Sequence, residues 1–324
     1  MRVWSLALSF LWLYGIQVQA EPTRQLNVGV LVFMAEADAR AVERMLVEQL
    51  RTSPGRSDLA YRVTVLSTPY VETAMADAVR WLKPLQPDIV LVQSPILSKL
   101  VLQQIPDIPI VSAGEAIIEN LPYVASIARP GGRVTGFLKQ VNQISKRAEL
   151  LRSFCPSVQR VGVVAGVDSA SDVVFLDNLA KENNKMRRRG MVAVPLYLRI
   201  DEFPKLPALI LENNLDALAI VFNLDVKTNF LQVRAVVEAL HIPHIHSDVR
   251  AVQDGGAFAA QPVGFDFVKS GAEYIARIAR GEKPGDIPIQ ISRAYDIVVN
   301  TDLIQKFKGC DPRRIARIAT KFYP

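Results

Sequence analysis

Uninterrupted apolar runs alternate along the chain with segments in which apolar residues return every three or four positions. Residues 26–33 (LNVGVLVF) form the first apolar run, and residues 37–50 form the first amphipathic segment. A continuous run of this length is typical of a strand that is buried on both faces, as in a parallel sheet. The segment behind it is typical of a helix that covers one face of such a sheet.

The same alternation continues to the end of the chain. Further strands are predicted at residues 61–66, 88–92, 108–111, 160–165, 192–197, 217–222, 243–245 and 295–299. Further helices are predicted at residues 71–82, 98–104, 146–154, 172–189, 203–213, 230–240 and 267–280. Such alternation is characteristic of doubly wound parallel sheets. It pauses once, at residues 128–132 (ARPGG), so we predict an α/β chain with two doubly wound lobes of about equal size.

Composition supports a folded protein. The chain has 324 residues, of which 50% are hydrophobic and 22% are charged, and this excludes a disordered or low-complexity protein. The formal net charge is +6, which we expect to be spread over the surface. Residues 181–189 (KENNKMRRR) read as the solvated end of a helix. No aromatic residues are interleaved with these charges, so we expect no nucleic-acid partner.

The first twenty residues predict a secretory signal peptide. Arg2 is followed by an apolar run over residues 3–16, and Val18-Gln19-Ala20 is a small-x-small cleavage signal. We predict cleavage after Ala20, with an uncleaved membrane anchor as the alternative. The segment contains no cysteine to accept a lipid, so a freely diffusing protein of the periplasm is expected.

Three segments carry a family resemblance. Residues 127–136 (IARPGGRVTG) resemble the hinge motif S-L-A-R-P-G-G-N-V-T-G of one group of ABC-transporter substrate-binding proteins. Residues 281–289 (GEKPGDIPI) are similar to that group's G-A-K-P-A-D-L-P-V, and residues 295–300 (YDIVVN) to its F-E-L-V-I-N. The resemblance runs from about residue 26 to about residue 312.

The resemblance implies a type I periplasmic binding protein fold, in which two lobes joined by three crossovers close over a small molecule. It implies a hinge at Gly131 and Gly132, and lobes formed by residues 26–134 with 260–288 and by residues 135–259 with 289–324. The closed form is then recognised by an ABC permease in the inner membrane. Relatives are associated with aromatic amino acids and pyrimidine-like solutes. We expect a monomer that carries no cofactor.

The chain departs from the family at three pocket signatures. Ile117-Ile118 stand where the family has Asp-Pro, Ser94-Pro95 stand where it has Gly-Thr, and residues 259–261 (AAQ) replace Ser-Tyr-Gly. One interpretation is divergence towards a different imported solute. The other is a receptor-like or sensory module that partners a membrane signalling protein, with altered or lost solute binding.

Candidate ligand-binding residues are those that follow predicted strands, because ligands of open α/β sheets bind at the carboxyl ends of the strands. They are Met34, Ser94, Pro95, Gly114, Glu115, Asp168, Ser169, Asn223, Asp225 and Asp248.

The three histidines form the pattern His241-x-x-His244-x-His246, with Asp248 behind it. Such a cluster is one way to bind a metal, but no further local ligand completes a tetrahedral set, so we predict no metal and expect the histidines to line a lobe surface. Cys155 and Cys310 are an exported pair, for which a disulfide and two buried thiols both remain open.

Enzyme motifs are missing from the sequence. The first strand is followed by MAEAD rather than G-x-G-x-x-G, and neither a G-x-S-x-G elbow nor a G-x-x-x-x-G-K-[ST] loop occurs. We therefore predict a binding protein with no catalytic residues.

Overall fold

The computed structural model describes residues 24–53, 59–69, 71–116, 121–140, 144–166, 179, 182–221, 226 and 228–324. The predicted signal peptide lies outside these residues. The strands are β1 (Arg24–Val32), β2 (Leu59–Ser67), β3 (Ile89–Val92), β4 (Ile110–Ala116), β5 (Val134–Gln140), β6 (Arg160–Gly166), β7 (Val192–Leu198), β8 (Ala217–Ile220), β9 (His244–His246), β10 (Phe258–Pro262), β11 (Gln290–Ser292), β12 (Tyr295–Asn300) and β13 (Lys321–Tyr323). The helices are α1 (Glu36–Thr52), α2 (Glu72–Leu82), α3 (Pro95–Gln104), α4 (Ile144–Phe154), α5 (Leu206–Glu212), α6 (Phe230–Leu240), α7 (Arg250–Gln253), α8 (Phe267–Ala279), α9 (Thr301–Ile304) and α10 (Pro312–Ala316).

These strands form two sheets. The first has the order β2-β1-β3-β4-β5-β11, and all of its pairings are parallel. The second has the order β7-β6-β8-β9-β10-β12-β13; it is parallel as far as β10, and β12 runs antiparallel to β10. The predicted α/β architecture with two doubly wound lobes is confirmed.

Helices cover both faces of each sheet. In the first, Val28 and Val30 of β1 pack under α1 and α8, whereas Leu31 packs under α2 and α3. In the second, Val163 of β6 packs under α4, and Val164 packs under α5 and α6. Adjacent residues of a strand point to opposite faces, so a strand covered on both sides must be apolar at successive positions. Among the described residues, no helix is both long and apolar enough to cross a bilayer.

Sheet pairing moves all three lobe boundaries several residues later than the sequence predicts. Val134–Gln140 pairs along its whole length with β4, so the first crossover comes between Gln140 and Ile144. Phe258–Pro262 belongs to the second sheet, and Gln290–Ser292 to the first. No strand is predicted from the sequence in any of these three segments. Their glycine, alanine, proline and polar residues hide the strand signal, and hydrogen bonding to a neighbouring strand decides the conformation.

The two glycines predicted as a hinge lie away from the crossovers. Gly131 and Gly132 come before β5, at the amino edge of the first sheet, whereas the crossover leaves β5 at its carboxyl end. The N–H of Gly131 donates to the carbonyl of Gly285 at 3.0 Å. A Cβ on Gly285 would come within 2.8 Å of backbone atoms of both Gly131 and Gly132. The first two resembling motifs therefore contact each other within one lobe, which explains why glycine is needed at position 285. Gly131 has a φ of +75°, which also favours glycine.

A disulfide joins Cys155, which follows α4, to Cys310, which precedes α10. The two residues are 155 positions apart in sequence. The amide of Asp311 donates to the carbonyl of Phe154 at 2.8 Å beside it. The bond fastens the last segment of the chain to the end of the first helix of the second lobe.

Removing this disulfide should lower stability, because the bond restricts a long loop in the unfolded chain. We expect Cys155→Ala with Cys310→Ala to reduce the free energy of unfolding by about 2–4 kcal/mol, measured by urea titration. Adding a reductant should destabilise the wild type to a similar extent and leave the double variant unchanged. Equal stability of the oxidised and fully reduced wild type would contradict the expectation.

Candidate functional site

The carboxyl edges of the two sheets are joined to each other by short crossovers. They run from Gln140 to Ile144, from Pro262 to Phe267 and from Ser292 to Tyr295. Each crossover leaves the carboxyl end of a strand and arrives at the carboxyl edge of the other sheet. The first two lead into α4 and α8, which begin at that edge. The third leads into β12, which is antiparallel and therefore also begins there. The second and third crossovers are also bonded together, through the N–H of Val263 and the carbonyl of Ala294 at 2.9 Å. The loops of both carboxyl edges are therefore held next to each other.

In the first lobe, three loops of this edge are locked together around Gln93. Its side-chain oxygen accepts from the amide of Phe33, after β1, at 2.8 Å. Gly114 has a φ of +95°, and a Cβ there would lie 2.3 Å from the carbonyl oxygen of Gln93. Met34 follows Phe33 and is half-buried. The ends of β1, β3 and β4 are thus brought into contact, and this places Met34 and Gly114 at the same edge of the sheet.

Ser94 and Pro95 lie where β3 passes into α3. The Ser94 hydroxyl accepts from the amide of Ile96 at 3.1 Å and so caps the helix. Beneath it the Ser98 hydroxyl donates to the Ser112 hydroxyl at 2.8 Å. Ser94 therefore has a structural task, in which its Oγ satisfies a free amide at the start of the helix.

Gly114 and Glu115 are inside β4 rather than in the loop after it, since β4 extends to Ala116 and pairs Glu115 with Lys139. The remaining candidates of the second lobe, apart from Asp248, fall outside the described residues. They are Asp168, Ser169, Asn223 and Asp225.

Asp248 follows β9, and its side chain is 13% exposed. It accepts from the amide of Arg250 at 2.8 Å and from the Nε of that guanidinium at 3.0 Å. Burial alone would raise the pKa of Asp248, but the hydrogen bonds and charge of Arg250, with a contribution from Lys139, hold that pKa below its ordinary value. Lys139 belongs to β5 of the first sheet, so at this point the charge of one sheet acts on a carboxylate of the other.

Lys139 and Arg147 are charged residues near the site that were not predicted from the sequence. Lys139 is a charge inside a strand, and Arg147 lies one turn after Ile144 on the buried face of α4, where it is only 3% exposed. Its Nε donates to the carbonyl of Ala260 at 3.3 Å, and its charge acts on Tyr295. A charged residue at a core-facing helical position is the signal that would have found it.

Arg147 and Glu182 are two buried charges near the crossovers, and the charges of both act on Tyr295. Glu182 accepts from the hydroxyl of Ser145 at 2.7 Å and from the amide of the same residue at 3.0 Å, and Lys185 pairs with it at 2.6 Å. Arg147 and Tyr295 follow the first and third crossovers, and Ala260 precedes the second. The chain thus ties the second-lobe ends of all three crossovers to one set of side chains.

The prediction that the histidines line a lobe surface is wrong for His244 and His246. His244 and His246 are each 1% exposed, because β9 is a central strand covered on both faces. The amide of Ala257 donates to Nε2 of His244 at 3.0 Å, which leaves Nδ1 as the donor to the carbonyl of Ile242 at 3.0 Å. His241 is exposed at the end of α6. Within the part of the chain that the structure describes, no three His, Cys, Asp or Glu side chains could hold a metal ion.

Two surface concavities lie at the opposite, amino edges. The one beside the first sheet has a volume of about 260 Å³ and is lined by residues such as Arg62 and Pro87. The other, of about 490 Å³, lies beside the second sheet between Gln253 and Tyr323. Neither contains any of the candidate ligand residues.

Comparison with known proteins settles the family. A family model described as ABC transporter substrate binding protein matches residues 67–322. This chain belongs to that family. The ABC transporter substrate-binding proteins are not enzymes, so the prediction of a non-catalytic protein is confirmed by family membership.

Individual relatives are more distant. A curated tyrosine-binding protein from Clostridioides difficile (strain R20291) is 24% identical over 222 residues, which are 67% of this chain and 61% of that protein. The match therefore spans less than two thirds of that relative.

Solved structures share the fold. The ABC domain from Streptococcus pneumonia in complex with L-Trp has a TM-score of 0.68 at 17% identity, covering 93% of this chain and 100% of that one. A ligand-free, open substrate binding protein with adhesive properties from Clostridium difficile also has a TM-score of 0.68, at 18% identity, covering 92% and 99%. At these identities the similarity establishes the type I periplasmic binding protein fold.

The buried histidines generate a pH prediction. Burial lowers the pKa of His244 to about 4, although the carbonyl of Ile242 and the charge of Glu238 act in the other direction; burial and the neighbouring His244 hold the pKa of His246 well below its usual value. The unfolded chain therefore binds protons on these residues before the folded protein does. Stability should fall as pH drops from about 6.5 towards 4, by about 3 kcal/mol for His244.

Nitrogen-15 NMR of the imidazoles and urea titrations across this range test the prediction. His244 should remain a neutral Nδ1–H tautomer at pH 5.5. His241→Asn, at the exposed histidine, is the matched control variant. A titration of His244 near pH 6.5 would show that the buried arrangement is wrong.

Proposed function

We propose that this protein is the extracytoplasmic solute-binding component of an ABC importer, and that it captures a small aromatic solute between the carboxyl edges of its two lobes. The observation that supports the proposal is the set of three short crossovers, which hold the carboxyl-edge loops of both sheets next to each other. Such a cleft binds a solute by closing, since contacts made only in the closed form shift the population towards it.

The solute class rests on the relatives. One relative is a tyrosine-binding protein, and one structural neighbour was solved with L-Trp. An aromatic amino acid is therefore the first solute to test, with pyrimidine-like molecules as the second class. The altered residues at Ser94-Pro95 and at residues 259–261 favour a specificity that differs from those of the relatives.

The location follows from the N-terminal sequence. Cleavage after Ala20 would release the chain into the periplasm as a monomer, where it would deliver its solute to a permease in the inner membrane. N-terminal sequencing of the exported protein tests the cleavage site directly.

A solute screen tests the binding function. Calorimetry and thermal unfolding with L-Tyr, L-Trp, L-Phe and uracil, each at millimolar concentration, should identify at least one ligand that raises the Tm. A ligand at a hundred times its Kd stabilises the folded state by about 2.7 kcal/mol. L-Lys serves as the control solute. If no aromatic or pyrimidine solute binds, the proposed substrate class is wrong; binding without any loss of uptake in a deletion strain would favour the receptor-like alternative.

Asp248 provides a site-directed test. We expect Asp248→Asn to weaken binding of the identified solute by about tenfold to a hundredfold, the usual value for a hydrogen bond to a charged group. The matched control is Asp254→Asn, an exposed aspartate at the opposite edge of the same lobe. Calorimetry measures the Kd of the solute for both variants. An equal change in Kd for the two would show that Asp248 is not part of the site.

A further inference from the structure

One end of the second lobe carries a dense group of basic side chains, which we name the basic edge: residues 149–158, 185–190 and 302–314. All three segments lie in one layer, because their buried side chains share a single core cluster on one face of the second sheet. Phe154, Met186 and Phe307 are examples, one from each segment. The segments are therefore neighbours on the surface of the lobe.

The strand directions place the three segments at the same edge. α4 ends at Phe154, just before β6 begins, and Gly190 comes just before β7. β12 is antiparallel, and its last residue, Asn300, donates from its amide to the carbonyl of Ala257, just before β10. The basic edge is thus the amino edge of the sheet, opposite the candidate solute cleft.

The basic edge has a local excess of positive charge. It contains nine lysine and arginine residues: Arg152, Lys185, Arg187, Arg188, Arg189, Lys306, Lys308, Arg313 and Arg314. It contains three carboxylates, Glu149, Asp302 and Asp311. Glu182, which lies just outside these segments, pairs with Lys185, so the excess at this edge is five positive charges. Folding therefore brings basic residues from three separate segments together at one end of the lobe.

Several of these charges face solvent. Glu149 pairs with Arg189, and Asp311 pairs with Arg313 and Arg314. The exposed side chains of four other residues make no ion pair within the described part of the chain. They are Arg187, Arg188, Lys306 and Lys308.

The basic edge is also held rigidly. The Cys155–Cys310 disulfide joins its first and third segments. The Arg152 guanidinium donates to the carbonyl of Arg189, which joins the first to the second. Little conformational freedom is therefore lost when the edge meets a charged surface, and its charges act together.

We propose that the basic edge binds the anionic headgroups of a phospholipid bilayer. Its large apolar side chains are buried, among them Leu151 and Ile304, so it presents charge without the apolar anchors that protein interfaces use. Its aromatic residues, Phe154 and Phe307, are buried too, so none is available to stack on nucleic-acid bases. A bilayer of anionic lipid requires only clustered Lys and Arg near its surface.

This contact would hold the protein close to the membrane. Because the basic edge and the candidate cleft are at opposite edges of the sheet, the bilayer would not cover the loops proposed to bind solute. The inference depends on export but not on the identity of the solute.

Sedimentation with vesicles tests the proposal on the purified secreted protein. Vesicles of phosphatidylcholine mixed with phosphatidylglycerol should bind it, and vesicles of phosphatidylcholine alone should not. Binding should weaken strongly between about 0.1 M and about 1 M salt, because the Debye length falls from about 10 Å to about 3 Å. Each removed charge should weaken partitioning about fivefold. The variant Arg187→Gln, Arg188→Gln, Lys306→Gln, Lys308→Gln should therefore bind at least about a hundredfold more weakly.

The control removes the same number of charges from exposed positions of the first lobe: Arg40→Gln, Arg44→Gln, Lys83→Gln and Lys99→Gln. It should partition nearly as the wild type does. An equal loss in both variants would make the effect one of net charge alone and would overturn the basic edge as a site. So would the absence of phosphatidylglycerol-dependent binding, or binding only to DNA or to an acidic polypeptide. Solute calorimetry on the same variants should be unchanged, which separates this proposal from the proposed function.

Discussion

The rest of this structure depends on the three short crossovers that connect the carboxyl edges of two parallel sheets. Parallel strands place all of their carboxyl ends, and hence their most variable loops, at one edge. The crossovers leave only three, four and two residues between the elements they join, so the two loop-bearing edges cannot separate far. This constraint holds the two loop-bearing edges next to each other, as the proposed solute cleft requires.

The polar interior near the crossovers follows from the same constraint. The chain passes between the lobes three times. Arg147, Glu182 and Tyr295 lie at the second-lobe ends of these crossovers and restrict their positions. A buried ionic cluster adds little net stability, because desolvation offsets the attraction between its charges. Its effect is on geometry, since each partner restricts where the others can lie. The Gly131–Gly285 contact has a comparable role at the far end of the first lobe.

The charged residues at the carboxyl edges of the sheets differ in arrangement from those at the amino edge of the second sheet. At the carboxyl edge, individual charges such as Asp248 and Lys139 act on one another across the lobes, where partial burial strengthens the interaction. At the amino edge of the second lobe, exposed arginines and lysines gather with few carboxylates. The first arrangement supports the proposed solute site, and the second supports the proposed contact with an anionic surface.

The sequence by itself determined the fold class, the two lobes and most strands, because a strand covered on both faces needs a continuous apolar run that is visible in the residues, as in β1, β3 and β6. It also determined the family, through motifs that contact each other in the folded chain. Only the tertiary structure placed β5, β10 and β11 in their sheets, since hydrogen bonding to a neighbouring strand outweighs their weak local preference. It alone buried His244, paired Cys155 with Cys310 and brought Lys139 near Asp248. It alone collected the scattered arginines and lysines at one edge, because proximity between residues far apart in sequence is a property of packing.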